Sequence, residues 1–157
     1  MRYRIILLVL LFPFATSAQV TLYMGEGKKA YYTPPSGFTE KSEHDGEYSF
    51  WTPDSKFYLT INTRWIDGRT PEKILEQGLS GLKMEACENM SNKTEVSTAV
   101  WKVCRVKVGP RTEGRLWMVI TFAGVRNAIE VSVNFQEVNE ARMEEIRKSI
   151  DGIRFAS

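Results

Sequence analysis

The stretch LWMVITFAGV, Leu116 to Val125, has Thr121 as its one polar interruption. Successive side chains of a strand point to opposite faces, so a run that is apolar at nearly every position needs cover on both sides. After the turn GVRN comes AIEVSVNF, which alternates: Ile129, Val131, Val133 and Phe135 fall on one side, Glu130, Ser132 and Asn134 on the other. The two runs predict a central strand, Arg115 to Ala123, and a half-exposed neighbour, Ala128 to Phe135. A third strand, about Ser97 to Val108, precedes them across the turn GPRTEG.

Upstream, KKAYYTPPSGF ends in a Pro-rich turn. His44-Asp45-Gly46 and Pro53-Asp54-Ser55 then punctuate runs rich in Phe, Tyr, Trp and Thr, the pattern of a meander built from hairpins. DGRTPEKILEQGLSGLKMEA changes period. Thr70 can cap, Pro71 suits the first helical position, and Ile74, Leu75, Gly78, Leu79 and Leu82 share one face. The spacing predicts a helix from Pro71 to about Ala86, with Gly78 letting it approach the sheet closely. Asn139 can cap a last helix, EARMEEIRKSI, with Met143, Ile146 and Ile150 on one face. Gly152 stops it, and IRF adds a terminal strand. Strands, helix, three strands, helix, strand is the order of an α+β fold: a central antiparallel sheet with two helices packed on it.

The first residues, MRYRIILLVLLFPFATSAQ, place Arg2 and Arg4 before an apolar run and small residues, the three-part plan of a secretory signal peptide. Thr16 and Ala18 meet the small-residue requirement, so cleavage is expected between Ala18 and Gln19. The run Ile5 to Phe14 is well short of the roughly 20 residues that span a bilayer, and stable membrane insertion is not expected. Residues 19–157 then form a single domain. Removing Arg2 and Arg4 takes Lys plus Arg from 21 to 19 against 19 Asp plus Glu, a net charge of zero. No basic cluster remains to supply the field that nucleic-acid binding relies on. The expected location is periplasmic or secreted.

Cys87 and Cys104 are the only cysteines. In an oxidising compartment two lone cysteines read as one disulfide, with two separate buried thiols as the alternative. Zinc would need four ligands, and the only histidine, His44, is far off in sequence. The stretch CENMSNKTEVSTAVWKVC reads as a stapled loop. It also carries Asn89 and Asn92 in Asn-X-Ser/Thr triplets, acceptors in a eukaryotic secretory pathway and a polar loop in a bacterial one.

YYTPPSGF before the first hairpin, FYLTINT leading through Thr-Pro-Glu into ILEQGLSGL, and the closing EEIRKSIDGIRF resemble the PsbP-like superfamily. It includes the photosystem II extrinsic subunit PsbP, a Ran-binding nuclear import factor and bacterial DcrB-like proteins. The resemblance implies a central antiparallel sheet with helices on its faces, used for binding proteins more often than for chemistry. Its secreted bacterial members include immunity proteins that neutralise toxins delivered by type VI secretion. The expected function is a non-catalytic protein-binding module of the envelope, its partner another envelope or secreted protein such as a toxin. A small-ligand-binding or assembly factor of the PsbP or DcrB kind is the alternative.

No catalytic constellation stands out. His44 beside Asp45 in a turn is not a triad, which is assembled in space. Glu144 and Glu145 point about 100° apart on a helix and read as a solvated face. Neither a phosphate-cradling glycine loop nor metal-ligand spacing is present, so no cofactor or metal is expected. Trp51, Trp101 and Trp117 sit within strands, where packing is the default. Trp65 differs: it lies in NTRWIDGRT, where strand gives way to helix, beside Arg64, Asp67 and Arg69. Trp and Arg are enriched at interface hot spots, so these four are the candidate partner-binding residues. The competing reading follows from the strand parity that Trp65 shares with Leu59 and Ile61, which would make it a plug beneath the helix.

Overall fold

The computed structural model describes residues 19–82, 84–137 and 139–156; the expected leader and its cleavage site, residues 1–18, lie outside the described residues. Strands β1 (Val20–Tyr23) and β2 (Lys29–Tyr32) form a hairpin, and β3 (Glu40–His44), β4 (Glu47–Trp51) and β5 (Phe57–Trp65) a meander. Helix α1 (Pro71–Leu79) precedes β6 (Cys87–Lys93), β7 (Ser97–Val108), β8 (Arg111–Phe122) and β9 (Asn127–Phe135). Helix α2 (Glu140–Asp151) and β10 (Arg154–Ala156) follow. A seven-stranded sheet has the order β3-β4-β5-β9-β8-β7-β6, and a three-stranded sheet the order β1-β2-β10. Neighbouring strands are antiparallel in both, and the α+β expectation holds.

Strand parity decides how the layers stack. Ile129, Val131 and Val133 of β9 share one buried face with Leu59 and Ile61 of β5 and Leu116, Met118 and Ile120 of β8. Ile146 and Ile150 of α2 cover part of that face, and Val20, Leu22, Ala30 and Tyr32 of the small sheet cover the rest. On the reverse face α1 sets Ile74 and Leu75 against Val100, Val119 and Ala128, with Trp117 alongside. The LWMVITFAGV run is thus covered on both sides. Nine residues of helix are too few to be stable alone. Burial of Ile74 and Leu75, about 1.5–3 kcal/mol each, is what holds α1 in place.

The capping expectations hold. Thr70 Oγ1 accepts from the Lys73 N–H with Pro71 at the first turn, and Asn139 Oδ1 accepts from the Arg142 N–H. Gly78 also acts as expected: a Cβ there would stand 2.9 Å from the Trp117 ring.

Four expectations need correction. Helix α1 ends at Leu79 rather than near Ala86, because Ser80 leaves the helical backbone at ψ 131° and Gly81 follows with φ 85°; Leu82 is exposed. The stapled loop is a strand, β6, whose seven residues are all exposed and so carry no alternation to read. It pairs with β7 in a register that sets Cys87 opposite Cys104, and the two form a disulfide. The turn GPRTEG shrinks to Gly109-Pro110, since β8 already begins at Arg111 and Gly114 lies within it. Finally, β9 is the middle strand of the large sheet rather than half exposed, and Glu130 on its polar side is buried at 5% relative exposure.

Candidate functional site

One end of the large sheet gathers four connections. The β1–β2 turn reaches the β8–β9 turn through Lys28, whose Nζ donates to the Gly124 carbonyl at 2.7 Å. Arg126 in that second turn stands 3.0 Å from Glu26 Oε1. The β6–β7 turn joins them through the Ala123 N–H, which donates to the Val96 carbonyl at 3.0 Å. The β5–α1 connection is tied in by the Ile66 N–H donating to the Arg126 carbonyl at 3.0 Å. The result is a rim whose turns hold one another.

Trp65 sits at its centre. It is the last residue of β5, opposite Asn127 of β9, and 49% of its surface is exposed. The Arg126 guanidinium lies 5.7 Å from its ring centroid, within cation–π range. Val96 and Tyr23, at 67% and 64% exposure, belong to the same end of the molecule. Trp65 shares its parity with Leu59 and Ile61, which face α2 and the small sheet, whereas the residues beneath α1 on the opposite face include Ile66 and Trp117, so Trp65 is not a plug under that helix.

The other three candidates have different roles. Arg69 is a brace: its Nε donates to the Ile66 carbonyl, one terminal nitrogen to the Trp65 carbonyl at 2.8 Å and the other to Gln77 Oε1 of α1. Arg64 points back over the sheet, where its guanidinium stands 3.1 Å from Glu130 Oε1. The approach lacks hydrogen-bond geometry, so this buried oxygen has no donor among the described residues. Burial pushes the Glu130 carboxyl up, partly opposed by Arg64 and Arg69. Asp67, exposed, takes φ 45° and Gly68 φ 68°, the left-handed backbone of a tight turn. Arg69 therefore holds Trp65 from behind and Arg64 is turned to Glu130, while Trp65 and Asp67 are exposed. Sequence reasoning missed Arg126 and Val96, which are distant from Trp65 along the chain and had no pattern to connect them to it.

Elsewhere, His44 and Asp45 are 3.3 Å apart and almost fully exposed. Glu144 and Glu145 pair separately with Arg147 and Arg142 on the surface of α2. Among the described residues no three His, Cys, Asp or Glu side chains come together as metal ligands, and no helix is long and apolar enough to cross a membrane.

No known protein family matches the sequence, and no curated protein matches it either. The fold does have counterparts. The Ran-binding protein Mog1p of Saccharomyces cerevisiae is similar at a TM-score of 0.57 and 10% identity, over 87% of this chain and 94% of Mog1p. A mutant of Mog1 gives the same TM-score at 11% identity. A Bacteroides thetaiotaomicron protein matches at a TM-score of 0.53 and 12% identity over 82% of this chain, which spans 45% of that protein's length. Identities this low speak for shared architecture alone.

Proposed function

We propose that this chain is a secreted, non-catalytic protein-binding module that presents the Trp65 rim to another envelope or secreted protein. The observation that carries this reading is a half-exposed Trp whose backbone carbonyl is held by Arg69 and whose ring lies against Arg126. An aromatic anchor fixed before binding loses little entropy on docking. Recognition of Ran by Mog1p supports use of the same fold on a protein partner. The tripartite amino terminus and the Cys87–Cys104 disulfide support a location outside the cytoplasm. Within this reading the specific partner class is a toxin delivered by type VI secretion, with this chain as its immunity protein.

The experiment is site-directed photo-crosslinking in cells that express the natural protein. A benzophenone amino acid is placed at Val96, at Asp67, and at Asp54 at the far end of the sheet. The same protein captured from positions 96 and 67 but not 54 supports the rim; capture from position 54 alone would reject it. Mature protein recovered in the same experiment begins at Gln19 if the leader is cleaved as expected, and an intact Met1 would remove secretion from the reading.

A further inference from the structure

The uncovered part of the reverse face carries a second constellation, at the end of the sheet away from Trp65. Strand register sets Trp51, Tyr58, Asn134 and Arg115 side by side across β4, β5, β9 and β8. Trp51 and Tyr58 stack with ring centroids 6.0 Å apart and planes 20° from parallel. The Tyr58 hydroxyl donates to Ser49 Oγ at 2.8 Å, so the ring is fixed at both its face and its tip. Arg115 gives its Nε to Asn134 Oδ1, which fixes the guanidinium plane without using its terminal nitrogens for that bond. A groove of about 450 Å³ opens here, with Tyr58, Arg115, Asn134 and Lys56 among its lining and Leu82 and Met84 also lining it.

A fixed guanidinium fork matches a carboxylate in two-point geometry, and a rigid aromatic wall takes a flat apolar body. Charge narrows the class further. Among the described residues the ionisable lining side chains include Lys56, Arg115 and Glu113, and Lys56 already pairs with Glu137 at 2.6 Å, so these residues present one guanidinium rather than a cluster of cations. That suits a single negative charge better than a phosphate dianion. We infer that this groove binds a small organic monocarboxylate with a flat apolar body, its carboxylate on Arg115 and its body against Tyr58. The site shares no residue with the Trp65 rim, and the inference stands independently of the protein-binding reading.

The test is a nitrogen-15 NMR titration of the folded chain with benzoate, with benzyl alcohol as the uncharged control of similar shape and sodium chloride as the ionic-strength control. Expected are saturable shifts at the Arg115 side chain and at the amides of Tyr58 and Asn134. Affinity should be at least tenfold weaker for benzyl alcohol and for benzoate with Arg115→Gln. Shifts that do not saturate, or that match those of benzyl alcohol, overturn the assignment. So does unchanged benzoate affinity in a folded Arg115→Gln protein. If that variant does not fold, the benzoate and benzyl alcohol comparison on the unaltered chain decides.

Discussion

Gly114 lies within β8, directly opposite Phe135 of β9, and the Phe135 ring occupies the space a side chain at 114 would need. A Cβ built there stands 2.2 Å from the ring and 3.0 Å from the Cys104 carbonyl oxygen. The ring has nowhere simple to go, being 3% exposed and packed with Phe57 at 6.4 Å between centroids. Overpacking of this kind costs about 1–3 kcal/mol, and the gain from removing an in-strand glycine offsets about 0.5–1 kcal/mol. Gly114→Ala should therefore destabilise by about 1–2 kcal/mol, lowering Tm by roughly 3–8 °C in a domain of this size. The check is thermal melting of Gly114→Ala, Phe135→Leu and the double variant, because a smaller residue at 135 should relieve the clash. The double variant should be more stable than the sum of the two losses by about 1 kcal/mol, the mark of direct contact. A Gly114→Ala protein that melts with or above the parent would refute the reasoning.

Three other outcomes follow from the same structure. Replacing Cys87 and Cys104 by Ser removes the crosslink that holds an edge strand of exposed residues; chemical denaturation should show a loss on the order of 3 kcal/mol, with amide exchange rising most in β6. Because burial raises the Glu130 carboxyl above its ordinary 4.5, the folded state holds that proton more tightly than the unfolded chain, so its contribution to stability falls as pH rises through the window above 4.5. Glu130→Gln should accordingly be at least as stable as the parent at pH 7, with the difference shrinking toward pH 4; melts showing the variant weaker at pH 7 than at pH 4 would contradict this. Arg64→Glu sets a like charge beside that buried carboxylate and should cost at least about 1 kcal/mol in a melt, less than a fully buried pair because Arg64 is partly solvated.

What the sequence made legible is what local rules control. Thr70 and Asn139 cap because their side chains reach N–H groups three residues on, and the alternation in AIEVSVNF shows because one face is wholly apolar. Strand β6 did not show, since CENMSNK is exposed throughout and is held by its partner strand and a disulfide rather than by burial. Gly114 read as turn material because only the register with β9 reveals the ring it accommodates. Glu130 looked solvent-facing because the helix covering that face is distant in the chain. The site divides in the same way. NTRWIDGRT marked an exposed connection, yet only the fold separates Trp65 and Asp67, which are exposed, from Arg69, which braces the Trp65 backbone, and Arg64, which turns to Glu130. Arg126 reaches Trp65 through a turn about sixty residues later, beyond any local signal.

The most direct test of the protein-binding reading is the affinity of Trp65→Ala for the partner identified by crosslinking, measured by calorimetry at 25 °C with both proteins shown to be folded by circular dichroism. An anchoring Trp costs at least about 2 kcal/mol on truncation, about 30-fold in Kd, and that loss is the predicted result. A folded Trp65→Ala protein that melts earlier than the parent yet binds with unchanged Kd would contradict it, because the ring would then serve packing alone.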